Sequence, residues 1–193
     1  MRLDHQIAFL NEADRLKSVQ RATRLLDGSR FENSAEHSWH VCLYALVLAE
    51  QAAPGIDIGR VLRMLLIHDI VEIDAGDAPI YGDIDHAAMA DREAAAADRL
   101  FGLLPGDQGA DLLALWQEFE AAQTPEARFA KAVDRLPPPI ANLENGGGSW
   151  VDYDVSFDQL DTRVGAPIRS GAPRVWDWLR PKLAAFFAAA NRG

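Results

Sequence analysis

Apolar residues recur along most of the chain at intervals of three and four, the spacing of one face of an α-helix. Ile7, Leu10, Ala13, Leu16, Val19, Ala22 and Leu26 form the first such series and predict an amphipathic helix from residue 3 to about 25. Its polar side carries Arg15, Lys17, Arg21 and Arg24, and Asp27-Gly28-Ser29-Arg30 breaks it. Asn33 followed by Glu36 is a capping-box start for a helix over about 34–53, which stops before Pro54-Gly55. The densest run is Val61 to Ile73. Nine of its 13 residues are aliphatic or Met and none is Gly or Pro, which predicts a helix capped by Asp57 and buried nearly all round. An Ala-rich helix over about 84–103 follows, then one over 108–122, and one begun by Thr124-Pro125 and ended by Pro137-Pro138-Pro139. Beyond the Asn145-Gly146-Gly147-Gly148-Ser149 loop, a last helix over about 172–190 places Trp176, Leu179, Leu183 and Phe186 at helical spacing, with Pro181 an expected kink. No strand alternation runs longer than a few residues. The expected fold is all-α, a single compact helical domain over 1–193, with a core at about 30–140 and a C-terminal helical extension at about 150–193.

Composition narrows the class. At 193 residues, 49% hydrophobic and 25% charged, the chain has the profile of one globular domain. A net charge of -10 argues against nucleic-acid polymers, which need clustered cations, but leaves room for a small phosphorylated ligand beside a metal and one or two Arg. The single cysteine, Cys42, has no internal partner and reads as a buried thiol. The first residues lack the apolar run of a signal peptide. No stretch reaches the roughly 18 uninterrupted apolar residues of a membrane span. The expected compartment is the cytoplasm.

Candidate chemistry gathers at the end of the central apolar run. His68, Asp69 and Glu72 share one helical sector, because Glu72 is i+4 from His68 and i+3 from Asp69. Buried charges there need partners, water or a cation. A metal site and a salt-bridged core cluster both satisfy that requirement. His37 and His40 lie on one face of the preceding helix, and spacing does not choose between them. Asp134 sits at the end of a helix, where the dipole disfavours an acid. Metal ligation is one reason for it to be there.

Taken together, His37 in Ala35-Glu36-His37-Ser38-Trp39, the His68-Asp69 pair, and Asp134 in Lys131-Ala132-Val133-Asp134-Arg135-Leu136 resemble the H…HD…D signature of the HD-domain metal-dependent phosphohydrolases. More narrowly, Asn33 to Trp39, Leu66 to Asp77 and the Asp134 segment are similar to the branch that includes the bacterial 5′-deoxynucleotidases and the human HD-domain-containing protein 2. The resemblance covers most of the chain and weakens after about Trp150. It implies that His37, His68, Asp69 and Asp134 bind one divalent transition metal, a mixed N/O set suited to Mn, Co, Fe, Ni or Zn. It further implies that Glu72 positions or deprotonates the attacking water or serves the leaving oxygen, and that Asp77 is a second active-site acid. Arg21 matches a substrate-contacting arginine, with Lys17 as an assisting cation or a surface residue. The tryptophan that follows this arginine in the family is missing, since Arg21-Ala22-Thr23-Arg24 has no aromatic residue.

The implied function is hydrolysis of a small phosphomonoester, foremost a (deoxy)nucleoside 5′-monophosphate, by direct attack of metal-activated water. A phosphodiesterase or nucleotide pyrophosphohydrolase on the same core is an alternative, and so is a non-catalytic metal-binding regulatory protein. Apolar faces on the terminal helices suggest a homodimer.

Overall fold

The computed structural model describes residues 1–83 and 85–190. Ile84, at the expected start of the third major helix, and the last three residues of the C-terminal extension lie outside the described residues. In chain order the elements are α1 (Arg2–Ala13), β1 (Gln20–Arg24), β2 (Phe31–Asn33), α2 (Ser34–Val47), α3 (Ile58–Ile67), α4 (Glu72–Ala75), α5 (His86–Phe101), α6 (Gly106–Ala121), α7 (Pro125–Asp134), α8 (Pro137–Glu144), α9 (Ser149–Asp152), α10 (Phe157–Leu160), α11 (Ala166–Gly171) and α12 (Pro173–Ala190). The fold is all-α apart from one short antiparallel hairpin, β1–β2.

That hairpin corrects the expected helix over 3–25. Helix α1 ends at Ala13, a 3₁₀ turn covers Asp14–Ser18, and the chain then becomes extended. The apolar spacing carries on through Val19 and Ala22, but the chain folds back instead. Gly28 takes a left-handed φ of 71° in the turn, and the Leu25 N–H donates to the Arg30 carbonyl at 2.9 Å. As a result Arg21 lies on a strand, and it no longer shares a helical face with Arg15 and Lys17.

The central run also departs from one continuous helix. Helix α3 starts under the Asp57 cap as expected, ends at Ile67, and passes through a 3₁₀ turn over His68–Val71 into α4. The His68 ring takes a hydrogen bond to the Leu65 carbonyl at 2.8 Å, the group an uninterrupted α-helix would offer to the N–H of Asp69. Nor is the run buried all round. Val61, Met64 and Leu65 are sealed in the core, whereas Leu66 is 61% exposed.

The expected stop at Pro137-Pro138-Pro139 is a start. Helix α7 closes at Asp134, and the prolines open α8, where the first turn needs no backbone N–H donors. Pro181 sits inside α12 without ending it. Helix α7 is the innermost element: Ala127, Phe129, Ala130, Ala132 and Val133 have no exposed surface, and α3 and α11 pack against it. Cys42 is half-buried, with Sγ 3.7 Å from the Leu62 carbonyl. No helix among the described residues is long and apolar enough to cross a membrane.

Candidate metal centre

The capping box at the start of α2 forms as its sequence requires. Asn33 Oδ1 accepts from the Glu36 N–H at 2.9 Å, and Glu36 Oε2 accepts from the Asn33 N–H at 3.3 Å. This fixes the first turn and with it the choice between two histidines: His37 is fully buried, whereas His40 stays partly exposed. The 3₁₀ turn after α3 delivers His68 and Asp69, and the last residue of α7 delivers Asp134. His37, His68 and Asp69 each offer one ligand atom within 4.8 Å of the other two. Asp134 Oδ1 lies 2.9 Å from His37 Nε2 and 3.3 Å from His68 Nε2.

The outer nitrogens of both rings are already engaged. His37 Nδ1 faces Glu32 Oε2 at 3.1 Å, and His68 Nδ1 donates to the Leu65 carbonyl. A neutral imidazole that donates from Nδ1 presents a lone pair at Nε2. At both rings that lone pair faces carboxylate oxygens, Asp134 for His37, and Asp69 at 3.0 Å together with Asp134 for His68. His68 Nε2 is buried, and neither carboxylate lies where it completes a hydrogen bond. Acceptor facing acceptor is resolved by a proton on each ring or by one cation among the four residues. Burial resists a charge on either ring, as does Arg21 at His37, but the neighbouring carboxylates push both histidines up. Two imidazole nitrogens and two carboxylates converging this way fit a divalent transition metal.

The rest of the site is built to balance charge. Arg21, 12% exposed at its side chain, lies among carboxylates, with Nη1 2.9 Å from Asp69 Oδ2 and 3.7 Å from both Glu72 and Asp77, and Nε 3.7 Å from Glu32. Burial disfavours its charge, but these acids outweigh it and raise the Arg21 pKa. Burial, reinforced by the Asp69 carboxylate and opposed by Arg21, pushes Glu72 up to about 9, while the Ser34 hydroxyl donates to it. Asp77, just after Gly76 at a φ of 78°, is also pushed up, by burial first. Asp134 goes the other way. Burial opposes its ionisation, yet Arg135 and the hydrogen bond from His37 hold it well below the usual carboxylate range.

Arg21, His68, Asp69, Glu72, Asp77 and Asp134 all line one cavity of about 290 Å³. Lys17 is not among them: it is 69% exposed and pairs with Asp14 outside the cavity. The lysine that does line the cavity is Lys131, whose ammonium lies 3.9 Å from the Phe119 ring centre and 2.9 Å from Glu120. Phe119 in turn meets the His68 ring edge-on at 5.0 Å. Lys131 precedes Asp134 by one turn on α7, and that i, i+3 spacing was the available signal for it. Glu32, the partner of His37, had no such signal, because its position depends on the hairpin.

The chain belongs to the HD-domain family, whose model matches residues 13–176, and it is an HD-domain metal-dependent phosphohydrolase. The crystal structure of a predicted metal-dependent phosphohydrolase from Magnetospirillum magnetotacticum is 49% identical and superposes with a TM-score of 0.90, over 96% of this chain and 92% of that one. The 5′-deoxynucleotidase HDDC2 of Bos taurus is 28% identical over 153 residues, 76% of this chain and 73% of that protein. The 5′-deoxynucleotidase hdd1 of Schizosaccharomyces pombe is 26% identical over 135 residues, 67% of each.

Proposed function

We propose that this enzyme hydrolyses a small phosphomonoester, foremost a (deoxy)nucleoside 5′-monophosphate, in the cytoplasm, with His37, His68, Asp69 and Asp134 as the ligands of one divalent metal. The single observation that carries the reading is the pair of inner histidine nitrogens facing the carboxylates of Asp69 and Asp134. When bound, Mn, Co, Fe, Ni or Zn supplies Lewis acidity, which acidifies water and offsets phosphoryl charge. Arg21 holds the carboxylates in place and turns toward the cavity, where its guanidinium binds a phosphoryl oxygen. Glu72, beside Asp69 and bonded by the Ser34 hydroxyl, takes a proton from the attacking water as a carboxylate or gives one to the leaving oxygen as the acid. Asp77 orients Arg21 from the loop side. The named activity of the 5′-deoxynucleotidase relatives supports the choice of substrate. Lys17 is left out of this assignment because of its exposure and its pairing with Asp14.

The test is a metal-supplemented screen of phosphorylated metabolites that reads inorganic phosphate and the organic product. Nucleoside 5′-monophosphates should release phosphate and nucleoside. Cleavage of diesters or of pyrophosphate bonds alone would transfer the reading to a phosphodiesterase or pyrophosphohydrolase. Metal binding without turnover of any ester would leave a regulatory protein. The reading also includes a homodimer through the apolar side chains left exposed on the terminal helices, Leu3, Ile7 and Leu10 on α1 and Trp178 on α12. A light-scattering mass of one chain would remove that part.

A further inference from the structure

A phosphomonoester held at the metal centre has an organic part that must extend away from the cluster along the cavity. The cavity lining includes the acids Glu93 and Glu120, with Lys131 tied to the latter at 2.9 Å. The cavity adjoins an open groove of about 590 Å³, and the two share Arg21, Ala22, Asp77, Pro79 and Tyr153. This groove starts at the Arg21–Asp77 edge of the catalytic cluster. Its lining includes Ala22 and Pro79, which are small or flat, and two aromatic residues, Phe31 and Tyr153, 40% and 39% exposed.

Both rings stand on fixed backbone. Phe31 opens strand β2, and the Arg24 guanidinium lies over its ring at 4.4 Å. Tyr153 caps the C-terminus of α9, where its N–H donates to the Ser149 carbonyl at 3.1 Å. That short helix is anchored by Trp150, which is buried against Phe186 and Phe187 with ring centres 5.4 and 5.1 Å away. A tyrosine held this way presents a flat apolar face at little cost in side-chain freedom. The groove otherwise holds Gln20, the carboxylates of Asp77 and Asp152 and the Arg21 guanidinium, already bonded to Asp69, with the Arg24 guanidinium beside it against Phe31. That charge balance suits an uncharged ring better than a further anionic group.

We infer that Tyr153, with Phe31, is the specificity-determining platform on which the planar aromatic part of the substrate stacks, so that the chain selects phosphomonoesters of heterocyclic nucleosides over ring-free ones. The inference rests on the phosphomonoesterase reading above. The test compares a deoxynucleoside 5′-monophosphate with ethyl phosphate in the wild type, Tyr153→Ala and Tyr153→Phe. Tyr153→Ala should raise KM for the nucleotide about tenfold, the scale of losing one base–aromatic stack, and leave kcat/KM for ethyl phosphate within about twofold. Tyr153→Phe should restore the nucleotide KM. An equal loss on both esters, or no loss on the nucleotide, overturns the inference. If the wild type releases phosphate from neither ester, the phosphomonoesterase reading fails by itself. The groove is then judged by equilibrium dialysis of the metal-loaded protein with the same nucleotide: tenfold weaker binding by Tyr153→Ala supports it, and equal binding overturns it.

Discussion

Helix α7 meets its neighbours in two different ways on its two sides. Toward α11 the contact is close and apolar: a Cβ placed on Gly171 would lie 2.1 Å from the Arg128 carbonyl oxygen and 2.7 Å from the Ala132 methyl. Toward the cavity the same helix carries Lys131 and Asp134, each matched to an opposite charge or a ring nitrogen. Packing of the first kind depends on shape, and a change there costs stability. Packing of the second kind depends on pairing, so a change there unbalances buried charges and falls first on metal and substrate. The two sides therefore predict separable losses.

The largest loss is expected on the polar side. Asp134→Ala removes the carboxylate that faces both inner imidazoles. Metal content should fall from about one ion per chain to near none, and phosphate release by at least about 10²-fold, the upper end of what even outer-shell changes cost metal sites. Elemental analysis of wild type and variant decides it, and equal metal content would take Asp134 out of the ligand set.

Next comes Glu72, close to the cluster but outside the four proposed ligands. Glu72→Ala should retain the metal and lose about 10²-fold or more in kcat, the usual scale of general acid–base catalysis. Loss of metal along with activity would make Glu72 a ligand or a prop for Asp69. Near-normal kcat would remove it from the chemistry.

The four proposed ligands were legible as candidates in the sequence because their signals are local. A capping box places His37 in a first turn, an apolar run ends on His68 and Asp69, and an acid sits at the dipole-disfavoured end of α7. Arg21 was legible as a residue but not as a position. The periodicity that predicted a helix to about residue 25 is compatible with a helix only while nothing pairs with it, and Phe31–Asn33 pairs with Gln20–Arg24 across the turn at Gly28. Pairing between segments has no local signature, so the partners the hairpin creates, Glu32 for His37 and Arg21 for the acids, were hidden together. The prolines after Leu136 were ambiguous for a different reason: a proline that cannot continue a helix is well suited to begin one.

On the apolar side of α7, Gly171→Ala should lower stability by about 1–3 kcal/mol, the range for overpacking a filled core. For a chain of this length that is several degrees in Tm, at roughly 2–4 °C per kcal/mol. Metal content and kcat per folded molecule should stay at wild-type values, as read by calorimetry alongside elemental analysis. If Gly171→Ala strips the metal while Tm holds, the two sides of α7 are coupled and the division drawn here is wrong.

The smallest effect sharpens the comparison by separating charge from position. Lys17 and Lys131 carry the same group, and a count of cations along the chain treats them alike. Lys17 is 69% exposed at its side chain and reaches only Asp14, three residues back on a solvated turn. An exposed pair of this kind contributes little, because water screens it and two long side chains must be held still to form it. Lys131 is 17% exposed and lies over Phe119 within the cavity wall. Lys17→Ala should therefore shift Tm by no more than about 1 °C and leave kcat/KM within about twofold for every phosphomonoester, in line with surface substitutions away from special features. Steady-state kinetics at low and at physiological salt is the measurement, since a long-range role in drawing the anionic substrate to an acidic protein would emerge only at low ionic strength. A drop of tenfold or more at both salt concentrations would return Lys17 to the substrate site and require the segment over Asp14–Ser18 to close over the cavity during turnover.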